Sequence, residues 1–98
     1  MPLRFLNVLT AFLVTGLPGS GKTTVSRALA QRFPRSVHID GDVLSFDFVV
    51  RGLPDPFGDD EDRLEWDRQN ALRAKHMCML AKSFHDAGFV VVLDDFAA

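Results

Sequence analysis

Apolar residues along this chain alternate between short continuous runs and stretches with helical spacing. The run from Leu9 to Val14 is interrupted only by Thr10, and residues 89–93 are apolar throughout, which is typical of parallel strands covered on both faces. Between these runs, apolar residues recur three and four positions apart, as they do along one face of a helix. The predicted strands cover about 9–15, 36–40 and 89–94, and the predicted helices cover about 22–33, 42–51 and 60–87.

Proline, glycine and aspartate residues mark the boundaries of these elements. Pro34 cannot continue a helical hydrogen-bond ladder, so the first helix should end before it. Gly52 and Gly88 suit the C-terminal caps of the second and third helices, and Asp59 or Asp60 suits the N-cap of the third. Strands that alternate with helices in this way predict one α/β domain built on a parallel sheet.

The clearest chemical signal lies where the first predicted strand ends. Residues 16–23 read Gly-Leu-Pro-Gly-Ser-Gly-Lys-Thr and fit the pattern G-x-x-x-x-G-K-[ST] of a phosphate-binding P-loop. Its glycines let backbone N–H groups converge on phosphate oxygens, Lys22 can reach the β- and γ-phosphates of ATP as a catalytic residue, and the Thr23 hydroxyl can ligate magnesium. The predicted nucleotide-binding residues are Gly16, Pro18, Gly19, Ser20, Gly21, Lys22, Thr23 and Thr24.

Acidic residues follow the other two predicted strands. Asp40 and Asp42 come at the end of the second strand, and Asp94 follows the apolar run of the third, as in a Walker B strand. The carboxyl ends of parallel strands share the sheet edge where open α/β sheets bind ligands. We predict that Asp40 and Asp94 hold magnesium with Thr23, and that Asp42 binds an acceptor hydroxyl or takes its proton. The alternative for Asp40 and Asp42 is a strand-to-helix turn in which one of them caps the next helix.

The long predicted helix adds a weaker signal for an acceptor pocket. Its apolar stripe predicts packing on the sheet in the second half, whereas Asn70 and Arg73 occupy the same stripe in the first half. We predict that both face the acceptor, with Arg73 binding an anionic or polar group; the alternative is a helix end that emerges into solvent. His38, His76 and His85 lack the spacing of metal ligands, so we expect surface or packing roles for them.

Composition narrows the function classes. The chain has 98 residues, 47% hydrophobic and 24% charged, with a formal net charge of −2, which is ordinary for a globular domain and predicts no nucleic-acid partner. The apolar N-terminal stretch imitates a signal peptide, but it has no small-x-small cleavage site and is too short for a bilayer, which predicts a cytoplasmic protein without membrane contact. The single cysteine, Cys78, excludes an internal disulfide, and its helical position predicts a buried or half-buried thiol.

Taken together, the P-loop, the Asp40-Gly41-Asp42 turn and the strand before Asp94 resemble the P-loop kinases of small molecules. The resemblance covers about residues 9–96 and is strongest to the chloramphenicol phosphotransferase-like and zeta-toxin-like branch, often labelled AAA-family ATPases. It implies a three-layer α/β/α fold whose five parallel strands have the order 2-3-1-4-5. It also implies magnesium-ATP on the P-loop and an acid after the second strand that serves the acceptor.

The chain departs from that family pattern after its third strand. Family members continue through a mobile lid bearing arginines and two further strands, whereas no arginine follows Arg73 in residues 1–98. We therefore expect an incomplete domain with three strands in the order 2-3-1, whose first strand forms an exposed edge open to self-association. Three possibilities remain: magnesium-dependent phosphoryl transfer from ATP to a small-molecule hydroxyl, a nucleotide-binding or NTPase module without an acceptor, and an inactive truncated fragment.

Overall fold

The computed structural model describes residues 11–16 and 19–96. The start of the first predicted strand, at residues 9 and 10, and the P-loop residue Pro18 lie outside this range. The strands are β1 (Ala11–Gly16), β2 (Ser36–Asp40) and β3 (Val90–Phe96), and the helices are α1 (Lys22–Ala30) and α2 (Asp60–Asp86), with a π-helical turn at Val43–Asp47.

Three parallel strands form the sheet, and β3 lies at its centre between β2 and β1. This is the predicted order 2-3-1. Asp94 of β3 is in register with Asp40 of β2 on one side and with Val14 of β1 on the other. The three strands therefore end at one edge, and the residues that follow them are brought together there.

The two long helices cover opposite faces of the sheet. Met77 of α2 packs with Ile39 and Val91, and the apolar residues of the second half of the α2 stripe lie against this cluster, as predicted. Side chains alternate between the faces of a strand, so Asp94 lies on the face opposite Val91, where it contacts Lys22 of α1. The fold is the predicted three-layer α/β/α arrangement.

The start of helix α2 is fixed by hydrogen bonds in the first turn of the helix. The Asp59 carboxylate accepts from the Asp62 backbone N–H at 3.0 Å, and the Asp62 carboxylate accepts from the Asp59 N–H at 3.3 Å. This reciprocal capping box satisfies two N–H groups that the helix itself leaves unpaired. Of the two predicted caps, Asp59 is therefore the one used.

The predicted helix at 42–51 is wrong in length and type. Residues 43–47 form a single π-helical turn, closed by the Phe48 N–H, which donates to the Val43 carbonyl at 3.0 Å. The β-branched residues Val49 and Val50 follow, and they are poor helix formers. Gly52, predicted as the cap of this helix, instead lies in a stretch without regular secondary structure and has a φ of 104°. The residues after Asp42 consequently form a loop beside the site.

Two surface features complete the fold. Cys78 is exposed, which corrects the expectation of a buried or half-buried thiol, because the neighbouring Met77 occupies the α2 face that packs on the sheet. Strand β1 forms one edge of the described sheet, and Leu13 on it is 63% exposed. Across the described ranges, neither helix has the length and apolar character needed to cross a membrane.

Candidate functional site

The P-loop places the N-terminus of helix α1 beside the end of strand β1. Gly19 and Gly21 have φ values of 82° and 84°, a left-handed conformation that side chains with a Cβ adopt only under strain. Gly21 is the N-cap of α1; within the described ranges no side chain bonds to the cap, and the first turn carries no acidic residue. The first N–H groups of α1 and the positive end of its dipole are thus available to an anion such as phosphate.

Lys22 connects the P-loop to the acidic strand ends. Its side chain is only 7% exposed, and Nζ lies 3.5 Å from Oδ1 of Asp94 and 3.9 Å from Oδ2 of Asp42. The structure thus brings three residues predicted from separate segments into one ion-pair cluster. The two carboxylates therefore contact the same ammonium group that, in the P-loop pattern, binds the nucleotide phosphates.

His38 also belongs to this cluster, and it has the buried packing role that was one of the two roles expected from its spacing. Its Nε2 lies 3.1 Å from Oδ2 of Asp94; the His38 side chain is 4% exposed and that of Asp94 is fully buried. One sequence signal could have identified it: His38 and Asp40 are two residues apart on β2, so both face the side of the sheet that carries Asp94.

Asp40 and Asp42 have different surroundings within one turn. The Asp42 backbone N–H donates to Oδ1 of Asp40 at 2.9 Å, which is the turn geometry of the alternative interpretation. The Asp42 carboxylate is 49% exposed and keeps its contact with Lys22. Turn formation by Asp40 therefore leaves the Asp42 carboxylate accessible from solution.

Gly41, between these two aspartates, permits a close approach of β2 to β3. A Cβ at this position would lie 2.8 Å from Oδ1 of Asp95 and 3.2 Å from the Asp94 carbonyl oxygen. Because a backbone oxygen cannot rotate away, alanine forces the strand ends apart. We expect Gly41→Ala to lower the free energy of unfolding by about 1 to 3 kcal/mol, measured by urea denaturation. An unchanged stability of Gly41→Ala would contradict the close approach.

Arg73 lies in the interior instead of emerging into solvent. Its side chain is 7% exposed; Nη1 donates to Oγ of Ser45 at 2.9 Å and to Oδ1 of Asn70 at 3.1 Å, and Nε lies 3.4 Å from Oδ1 of Asp95. Asn70 is half-buried. These contacts join α2, the π-helical turn and the end of β3, and the predicted role of Asn70 and Arg73 in acceptor binding stays a prediction.

A cleft of about 390 Å³ opens beside the outer edge of β2, next to the P-loop. Its polar lining consists of Thr23, Arg27, His38 and Asp40, and its apolar lining consists of Ile39, Val43, Leu44, Phe48, Leu80 and Phe84. The sequence prediction did not include Arg27, although its position four residues after Thr23 puts both on one face of α1. The cleft therefore combines a phosphate-proximal polar end with an apolar wall.

Comparison with known proteins agrees with this geometry. Residues 13–98 match the protein family described as AAA domain, and the chain belongs to that family, whose P-loop NTPase-like fold implies nucleotide binding. A segment of 40 residues is 50% identical to a UPF0200 protein of Aeropyrum pernix. The match covers 41% of this chain and 21% of the length of that relative.

Proposed function

We propose that this P-loop nucleotide-binding domain takes up magnesium-ATP and transfers its γ-phosphoryl group to a hydroxyl of a small molecule. The observation that supports the proposal best is the buried P-loop residue Lys22, held between Asp94 and Asp42 at the start of α1, whose N-cap receives no hydrogen bond from a described side chain. The chloramphenicol phosphotransferase-like or zeta-toxin-like branch is part of the same proposal.

The nucleotide end of the site follows from the P-loop. Backbone N–H groups of residues 19–24 would donate hydrogen bonds to the phosphate oxygens. The Lys22 ammonium group would move away from its carboxylate partners and neutralise charge on the β- and γ-phosphates. Thr23, Asp40 and Asp94 supply the hydroxyl and carboxylate oxygens that suit a magnesium ion, which when bound offsets phosphate charge. The side chain of Asp94 is fully buried beside Lys22, so its carboxylate is positioned in advance.

The acceptor end of the site is assigned to Asp42 and the cleft beside β2. The half-exposed Asp42 carboxylate can receive the proton of an incoming hydroxyl, a role that requires only hydrogen-bond reach. The apolar wall of the cleft suits the carbon skeleton of the acceptor, and the exposed Arg27 at its polar end suits an anionic substituent. We therefore propose an amphipathic hydroxyl compound as the acceptor, and we keep acceptor binding by Asn70 and Arg73, which do not line this cleft, as part of the proposal.

A nucleotide hydrolase is the second candidate. Because the Asp42 side chain is 49% exposed, water can reach the same position as an acceptor hydroxyl. The two functions differ in one measurable respect: a kinase releases ADP faster when its acceptor is added, whereas a hydrolase does so with water alone.

The test combines binding with turnover. Magnesium-ATP should raise the melting temperature in a concentration-dependent manner, and a panel of amphipathic alcohols should contain compounds that increase ADP release. Asp42→Ala is expected to lower acceptor-dependent turnover by about 10²- to 10⁴-fold and to retain the thermal shift with magnesium-ATP. Asp47→Ala, which changes an exposed aspartate of the adjoining turn, serves as the control. Full turnover by Asp42→Ala would remove it from the mechanism.

Four further proposals concern location and partners. The charge balance and the N-terminal pattern support a cytoplasmic protein without nucleic-acid or membrane partners. The exposed edge of β1, with Leu13 63% accessible, supports self-association through this strand. Sedimentation of the purified chain at increasing concentration tests the last of these.

A further inference from the structure

The acidic strand ends carry more negative than positive charge. The Lys22 ammonium group contacts the carboxylates of Asp42 and Asp94, and the Asp40 carboxylate beside them accepts from the Asp42 backbone N–H. The next cation along the edge, Arg73, pairs with a different carboxylate, that of Asp95. Buried charge is costly unless it is compensated, the Asp94 side chain is fully buried, and a divalent cation beside it would offset the excess negative charge.

The donor atoms for such a cation already converge. His38, Asp40 and Asp94 each offer one ligand atom, and these atoms all lie within 4.8 Å of one another. His38 Nε2 and Asp94 Oδ2 are 3.1 Å apart, whereas two ligands about 2.1 Å from a tetrahedral metal would be about 3.4 Å apart. The two atoms would therefore need to separate by only about 0.3 Å to bind one ion.

A second, independent observation concerns the other oxygen of Asp94. Oδ1 is buried and, within the described ranges, has no hydrogen-bond partner; its nearest charged group is the Lys22 ammonium at 3.5 Å. A buried carboxylate with an unfilled acceptor position is unusual in a folded protein. It indicates a ligand at this place.

We propose that His38, Asp40 and Asp94 form a site for a divalent transition-metal ion that fills without nucleotide. The imidazole nitrogen sets the class of metal, because imidazole suits zinc, cobalt and iron, whereas magnesium prefers oxygen ligands. The site shares Asp40 and Asp94 with the magnesium site proposed above and adds His38 to them, but its filling requires neither nucleotide nor phosphoryl transfer. A cation bound here neutralises the Asp94 carboxylate, so the Lys22 ammonium group is no longer held by it and can turn toward the phosphate side of the P-loop.

The test titrates the nucleotide-free protein with Zn²⁺ in a calorimeter. One ion per chain should bind, and Co²⁺ in its place should give visible d–d absorption of a nitrogen-containing site. His38→Gln should weaken Zn²⁺ binding at least about tenfold, whereas His76→Gln and His85→Gln, which change the other two histidines of the chain, should bind as the original protein does.

Two results would overturn the site. One is Zn²⁺ binding that is unchanged in His38→Gln, and the other is Zn²⁺ binding that is lost in His76→Gln or His85→Gln. Circular dichroism establishes that each variant is folded, and if His38→Gln is not, Asp40→Asn in the half-exposed turn replaces it with the same expected loss. The magnesium-ATP thermal shift is measured separately on the original chain. A chain that binds Zn²⁺ but not magnesium-ATP would thus refute the proposed function alone.

Discussion

Lys22→Met should remove most nucleotide binding from this protein. Hydrogen bonds to a charged group contribute about 1.5 to 3 kcal/mol, so the loss of the ammonium group should raise the Kd for magnesium-ATP by about 10- to 100-fold. Methionine keeps a similar length of apolar chain, so the packing around this 7% exposed side chain is largely retained. Fluorescent-nucleotide titration measures the Kd, and ADP release should fall with it.

The stability of the nucleotide-free variant gives a second readout of the same substitution. Without the ammonium group, the fully buried Asp94 carboxylate loses its cationic partner at 3.5 Å and retains only His38. Lys82→Met is a matched control, because Lys82 is 77% exposed and pairs with Asp86 on the surface of α2, where an ion pair adds little. Equal nucleotide affinity for Lys22→Met and the original chain would exclude the P-loop as the nucleotide site.

The parts of the site that sequence predicted are those fixed by local rules. The P-loop glycines take positive φ values because the loop requires them, and Asp40 and Asp94 become neighbours because parallel strands end in register. The sequence pattern thus located the sheet edge at which Lys22, Asp42 and Asp94 meet, and the family resemblance supplied the strand order.

The features that sequence missed depend on tertiary packing. His38 reads as an isolated histidine until β2 is placed beside β3, when its ring meets the Asp94 carboxylate. Leu44 of the π-helical turn packs into the core with Ile39 and Met77, a contact that helical periodicity alone does not specify. The position of Arg73 on the helical stripe predicts that it faces an acceptor pocket, but that position does not predict its contacts with Ser45 and Asp95.

Arg73→Met should produce a large loss of stability. Breaking a buried ion pair by removing one partner costs about 3 to 5 kcal/mol; because Asp95 is 23% exposed and can recover some hydration, we expect about 3 kcal/mol. The Ser45 hydroxyl and the Asn70 amide oxygen lose a donor as well. Urea denaturation of the nucleotide-free protein measures the loss.

The control for this prediction lies on the same helix. Arg63 is 76% exposed and 3.9 Å from Asp60, so Arg63→Met should change the free energy of unfolding by less than about 0.5 kcal/mol. Combining Arg73→Met with Asp95→Asn should restore part of the stability, because the carboxylate left without its partner is then neutral. If Arg73 acted on the acceptor alone, Arg73→Met would unfold at the same urea concentration as the original chain, and only the KM for the acceptor would rise.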